Sequence, residues 1–296
     1  MRNFLLSLAA FAARLLPDSF KQALYRNPRL AAPIRRTLNR AAPSGLVQVM
    51  VAAGDLAGMR LLLDMQTEKD YWLGTYEPEL QRALHDLVEP GAIVYDVGAN
   101  IGYVSLLLAK AAGESGRVYA FEALPENVER LKQNLVLNGM GGRVTVISGA
   151  VTHVSGPVTF LVHAASNGMG KVAGSAGRTE GAYQAEISVP GISLDDFVYG
   201  QGNPTPQVVK MDIEGGEVMA LPGMRRVLSE ARPRMLLELH GPESARAAWD
   251  ALTSAGYQIC WMKPGYPPVP SLNELDWKAY LTASAGASTP QGAASG

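Results

Sequence analysis

From Ala92 onward the chain alternates short apolar runs rich in β-branched residues with stretches of helical periodicity, and that alternation leaves few folds open. Runs at 93–97, 117–121, 144–147, 208–212 and 234–239 have strand length and are apolar almost throughout, as strands covered on both faces must be. Between them, 104–111, 125–137, about 217–229 and 243–255 carry the spacing of helices. Strand and helix in alternation build βαβ units, which stack into a mostly parallel sheet with helices on both faces. Runs at 257–261 and 277–281 can supply the last two strands. The expected class is therefore α/β.

The alternation fails in two places. Residues 151–192 are Gly-rich, polar and strand-like, which reads as an inserted antiparallel excursion. Upstream, Pro, Ser, Gly and Ala between 41 and 58 mark a junction, and 59–65 reads as a strand. The chain thus divides into an N-terminal amphipathic helical extension and junction (1–58), an α/β domain (59–282) and a tail (283–296) of Ser, Ala, Gly, Thr and Pro. Having no apolar period, the tail is expected to be disordered.

With 26 basic and 27 acidic residues the formal net charge is −1, so no global field draws nucleic acid, which is not expected as a partner. A single cysteine, Cys260, excludes intrachain disulfides and cysteine-rich zinc sites, and is expected to be a buried small hydrophobe. Residues 1–40 are less neutral, with eight Arg or Lys against one acid, Asp18. Such a composition suits either peripheral contact with a membrane surface or docking on the chain's own domain. The apolar run after Arg2 resembles a short signal peptide, but Arg14 interrupts it well short of a membrane span.

The first strand of the regular pattern ends in Asp96, and Gly98, Asn100 and Gly102 follow before a helix begins. Small residues and free N–H groups at a strand-to-helix turn let a ligand approach the backbone. A dinucleotide fingerprint would have glycine at the position Asn100 fills, where room is needed for a pyrophosphate. A ligand without pyrophosphate needs less room, and Asn offers an amide to an amino-acid moiety. S-adenosylmethionine fits. Glu122, at the end of the second strand and 24 positions after Gly98, has the spacing of a ribose-binding acid.

These residues, with Ala120-Phe121-Glu122-Ala123-Leu124-Pro125-Glu126-Asn127, Ser193-Leu194-Asp195-Asp196-Phe197 and Lys210-Met211-Asp212-Ile213-Glu214-Gly215-Gly216-Glu217, resemble the FkbM family of methyltransferases over roughly 71–240. Ala123 stands where the family usually has Pro, and Gly216 where it usually has Ala. The resemblance implies a Rossmann-like class I methyltransferase fold, a seven-stranded sheet with its last strand antiparallel, S-adenosylmethionine as cofactor and O-methylation as activity. Carried over by position, Gly98, Asn100 and Gly102 line the methionine end, Glu122 holds the ribose, and Ser148, Gly149 and Ala150 lie near the base. Tyr76 and Glu77, in the lead-in to the domain, would close over the cofactor.

Asp212 and Glu214 follow the fourth strand and Glu238 and His240 close the fifth, where open α/β sheets bind their ligands. Asp212, Glu214 and His240 are the expected catalytic residues. His240, with an ordinary pKa of about 6.5, or one of the two carboxylates, would take a hydroxyl proton. A divalent ion among the three is a further reading, although no metal is assigned. Lys210 and Glu217 are expected to be structural, and His85, His153 and His163 to be surface or loop residues. The expected acceptor is a small molecule or glycan, a sugar hydroxyl or secondary metabolite, reached in part through 163–184. The alternatives are an NAD-dependent oxidoreductase, resting on the loop and acid alone, and an inactive membrane-associated binding protein. The cofactor points to the cytoplasm, with residues 1–40 free to touch a membrane.

Overall fold

The computed structural model describes residues 2–16, 27–163, 170–177, 183–275 and 278–286. Two helices, α1 (Arg2–Leu15) and α2 (Pro28–Ala41), lead into an antiparallel pair, β1 (Leu46–Met50) and β2 (Arg60–Asp64), then α3 (Lys69–Leu73) and α4 (Pro78–Leu87). The regular alternation follows as β3 (Ile93–Val97), α5 (Tyr103–Ala111), β4 (Arg117–Glu122), α6 (Pro125–Leu137) and β5 (Val144–Ser148). After an insertion it resumes with β10 (Val208–Met211), α7 (Glu217–Ala220), β11 (Arg234–His240), α8 (Pro242–Ser254), β12 (Tyr257–Trp261) and β13 (Lys278–Ala285). The insertion holds β6 (Ala150–Val151), β7 (Gly156–His163), β8 (Gly170–Val172) and β9 (Tyr183–Ile192).

The central sheet runs β12-β13-β11-β10-β3-β4-β5, with β13 antiparallel to both neighbours, which is the seven-stranded arrangement the resemblance implied. Alternate residues of its strands feed two cores. Val94, Val118 and Ala120 pack with Leu106, Leu108 and Leu131 on one face, while Tyr95, Val97, Phe121, Val209 and Met211 pack with Leu221, Met224 and Leu252 on the other. Each such side chain removed from water contributes about 1.5–3 kcal/mol, so this double layer dominates stability. The chain winds outward from β3 through β4 to β5 on one side and from β10 to β11 on the other. The crevice at that reversal is where a ligand fits.

Arg130, Asn134 and Asn138, four residues apart on α6, hold the edge of β2. Asn134 accepts from the Leu62 N–H at 2.7 Å and donates to the Ile101 carbonyl at 2.9 Å. Asn138 bonds both backbone groups of Arg60, and Arg130 joins the Leu62 carbonyl to the Glu68 carboxylate. The N-terminal hairpin is thereby fixed to the helix that follows β4.

Several expectations are revised. The helix foreseen over 217–229 is broken into α7, a 3-10 turn at Leu221–Met224 and a π turn at Val227–Ala231. Pro222 cannot continue an α-helical hydrogen-bond ladder, and Gly223 sits so close to the Thr152 carbonyl that a Cβ would lie 2.3 Å from it. The junction at 41–58 contains β1, and β13 runs through Ala285, into the segment read as tail; 287–296 lie outside the described residues. Trp277 also lies outside them. Cys260 is half-buried rather than buried. The excursion is a four-stranded sheet, β6-β9-β7-β8, docked through Phe160, Val172 and Val189 on Ala123, Leu124 and Ala150.

Candidate active site

A cavity of about 470 Å³ opens at the carboxyl ends of β3, β4 and β10. One wall is the loop after β3. Gly98 has φ +83°, and a Cβ there would lie 1.9 Å from the Asp212 carbonyl oxygen, so only glycine lets these two strand-end loops touch. Asn100, at φ +49°, turns its N–H onto Glu122 Oε2 at 2.8 Å, while Glu122 Oε1 accepts from the Leu124 N–H at 2.8 Å. Burial pushes the Glu122 carboxyl up, and these N–H donors oppose it. Oε1 also accepts from Asn127 Nδ2 at 3.5 Å, which leaves Oε2 with a lone pair that a ribose hydroxyl can use. Gly98, Asn100, Glu122, Gly149 and Ala150 all line the cavity, as the sequence suggested.

Two expected loop residues stand behind that wall. Gly102, at φ +89°, faces α6, where a Cβ would lie 2.3 Å from Leu131 Cδ1, so it serves helix packing. Asp96 is fully buried beneath the loop, accepting from Ser105 Oγ at 2.6 Å and lying 3.4 Å from Lys210 Nζ. Burial pushes its carboxyl up, with Lys210 and Ser105 pulling the other way. Its role is to anchor the loop. Lys210 also donates to the Gly98 carbonyl at 3.1 Å and lies 3.8 Å from Asp212 Oδ2. Burial alone would lower its ammonium pKa, but Asp96, Asp212, Glu77 and Glu238 raise it above the ordinary value. The lysine read as structural is therefore a charged part of the cavity wall.

The wall beside the loop is acidic. Asp212, Glu214, Glu238 and Glu77 line it together with Lys278, Tyr280 and Lys171. His240 stands just behind, with Nε2 3.8 Å from Asp212 Oδ1, 3.7 Å from Glu214 Oε2 and 3.6 Å from Glu238 Oε1. Its Nδ1 lies 3.5 Å from Oε1 of the fully buried Glu217, whose Oε2 accepts from Ser244 Oγ at 2.8 Å. Burial would lower the imidazole pKa, but Glu217 and Glu238, aided by Asp212 and Glu214, raise it to about 10. His240 is thus a cation at neutral pH and holds the carboxylates together.

Asp212 is pushed up to about 7, first by burial and then by Glu238, with Lys210 pulling it down. Glu77 rises to about 8, by burial and then by Asp212 and Glu238. For Glu238, burial is outweighed by His240 and by Lys278, 3.0 Å away, which bring it down to about 2. Asp212, Glu238 and His240 present ligand atoms within 4.8 Å of one another, a set that would suit a divalent ion only once the His240 ring had lost its proton.

Among the described residues, five other than glycine have positive φ, and three of them, Glu77, Asn100 and Glu214, line this cavity. Backbone strain of this kind persists where surrounding structure imposes it, and it gathers at functional sites. The Glu214 turn is pressed by the insertion: a Cβ on Gly177 would lie 2.7 Å from the Glu214 carbonyl oxygen. Tyr71 stacks on Tyr103 at 4.7 Å, and both line the cavity with Tyr76, whereas Trp72 belongs to the core. The Tyr103 hydroxyl is buried without a hydrogen-bond partner among the described residues, leaving a donor for a ligand.

Sequence reasoning missed Lys278, Tyr280 and Phe160, which only the tertiary fold brings to the cavity. Within the expected specificity segment, Gly170, Lys171 and Val172 do line it, while 164–169 and 178–182 lie outside the described residues. His85 and His153 are exposed and His163 is half-buried against Tyr183.

Residues 96–259, more than half of the chain, match the family described as the methyltransferase FkbM domain. The hexuronic acid methyltransferase AglP of Haloferax volcanii is 31% identical over 165 residues, covering 55% of this chain and 62% of that protein. A protein-L-isoaspartate O-methyltransferase of Aeropyrum pernix is 48% identical over 61 residues, covering 21% and 24% of the two chains. The chain thus spans less than two thirds of these relatives. A solved FkbM methyltransferase from Methylobacillus flagellatus overlaps 74% of this chain and 54% of its own, with a TM-score of 0.43 and 18% identity. By its sequence match the chain belongs to the FkbM methyltransferase family, and its cofactor is S-adenosylmethionine.

Proposed function

We propose that the chain methylates an oxygen of a sugar, and that Asp212 takes the proton from the acceptor hydroxyl. One feature carries this reading: in a single cavity Gly98, Asn100 and Glu122 stand beside an acidic wall in which burial pushes the Asp212 carboxyl up to about 7. Bound there, S-adenosylmethionine supplies an electrophilic methyl group. What this chain contributes is alignment, exclusion of water and removal of a proton. Asn100 offers its side-chain amide to the amino-acid end, Glu122 takes the ribose hydroxyls, and Tyr71, Tyr76 and Tyr103 close the side.

His240 is a positioning residue. Held as a cation by Glu217 and Glu238, it fixes Asp212 and Glu214 and keeps one of them ready to accept a proton. Glu214, on its left-handed turn against the insertion, lies where the acceptor enters. The sugar class of the acceptor draws support from AglP, a hexuronic acid methyltransferase.

The test is a panel of hexoses, uronic acids and their nucleotide-linked forms incubated with isotopically labelled S-adenosylmethionine and read by mass spectrometry. Label on a sugar oxygen is the expected product. Label on a protein carboxyl or on nitrogen would overturn the sugar assignment, and an active Asp212→Asn enzyme would overturn the assignment of the base.

A further inference from the structure

Helix α1 leaves an apolar stripe in water. Ala13 is 8% exposed and sits in the core, with Ala9 and Ala10 packed against it. Leu8, Phe11 and Leu15 face outward, 52%, 60% and 65% exposed. Spaced by three and four, these fall on one stripe of the helix, opposite Ala13. Three large apolar side chains on one stripe of a single helix thus remain in water, more than packing on the domain alone requires.

The neighbouring helix is basic. On α2, Leu38 is buried, and Arg29, Arg36 and Arg40 lie together on the opposite, exposed face. Residues 1–40 carry eight basic residues and one acid. A second copy of the chain on this face would bring its own arginines against these, whereas an anionic surface would meet both the apolar stripe and the charge. No helix among the described residues is long and apolar enough to cross a membrane, so the contact is with a surface.

We infer that Leu8, Phe11 and Leu15 of α1, with Arg29, Arg36 and Arg40 of α2, form a docking face for an anionic lipid bilayer. The stripe enters the boundary between headgroups and acyl chains, and the arginines pair with lipid phosphates. Arg14 belongs to the other side of the contact, since its Nε donates to the Ala52 carbonyl at 2.8 Å and ties α1 to the domain. Docking is therefore transmitted to the body that holds the cavity.

The experiment is cosedimentation of the full chain with phosphatidylglycerol-containing vesicles and with pure phosphatidylcholine vesicles. The protein should sediment with the first, release as salt rises, and bind the second at least tenfold more weakly. The variant Leu8→Ser/Phe11→Ser/Leu15→Ser should lose at least tenfold in vesicle affinity. Arg29→Gln/Arg36→Gln/Arg40→Gln should lose about fivefold for each arginine. Both should keep wild-type calorimetric affinity for S-adenosylmethionine, which shows that the domain is folded and separates this result from the cofactor assignment. Failure of the wild-type chain to bind anionic vesicles would overturn the inference. So would a dimer that the serine variant dissociates while vesicle binding is absent, because the stripe would then belong to a second copy.

Discussion

The backbone N–H of Asn100 meets Glu122 Oε2 at 2.8 Å, so the carboxylate that we propose holds the ribose also holds the loop that we propose receives the amino-acid end. Removing it does two things at once. In Glu122→Ala the ribose loses its acceptors and the Asn100 and Leu124 N–H groups lose theirs. Hydrogen bonds to a charged group contribute about 1.5–3 kcal/mol each, so calorimetry should show S-adenosylmethionine binding at least about a hundredfold weaker. Undiminished affinity would refute the ribose assignment.

Asn100 separates backbone shape from side-chain chemistry. Its φ of +49° is one that glycine adopts without penalty, so Asn100→Gly should leave the fold intact and raise the melting temperature slightly. The N–H to Glu122 survives the change, and only the amide facing the cavity is lost. A single net hydrogen bond corresponds to up to about tenfold in affinity. The expected variant is thus at least as stable as the wild type and binds the cofactor up to about tenfold more weakly. A less stable Asn100→Gly chain would show that the amide supports the loop rather than the ligand.

The base assignment has a pH signature. Asp212 must be ionised to accept a proton, and it is raised to about 7 in the free site beside Glu77 at about 8. Since the two carboxyls interact, their titration is shared, and kcat/KM should climb between about pH 6 and pH 8 and then level. Asp212→Asn should lower kcat by about a hundredfold or more while changing cofactor affinity only a few-fold. A profile that falls across this range would point to an acid instead.

The strands of the central sheet were readable because burial on both faces forces continuous apolar runs, as at Val208 and Val209 or Leu236 and Leu237. The loop and Glu122 were readable because strand ends place such residues by topology. What escaped depends on distant packing. Leu46 to Met50 form a strand because Arg60–Asp64 pairs with them, and the small residues around them hide that signal. Lys278 comes from the antiparallel last strand, a position that no spacing encodes. Asp96 and Gly102 carry residue types suited to a ligand loop, yet contacts to Ser105, Lys210 and Leu131 engage them in holding its shape. The charge of His240 was equally hidden, since it follows from four carboxylates on three separate segments.

That charge makes a claim about stability. In the unfolded chain His240 titrates at about 6.5, and in the folded protein at about 10. A folded pKa above the unfolded one means that protonation favours the fold, with the full contribution present below about pH 6.5 and lost as pH rises through about 10. Replacing the ring in His240→Gln leaves Asp212, Glu214, Glu217 and Glu238 without their central cation. Removing one partner of a buried charge set costs on the order of 3 kcal/mol. Denaturant melts at pH 6 should therefore show the variant less stable by about that amount, and the gap should narrow steadily toward pH 10, where wild-type His240 is itself losing its proton. A gap of constant size from pH 6 to pH 10 would mean that His240 acts through its shape and not through its charge.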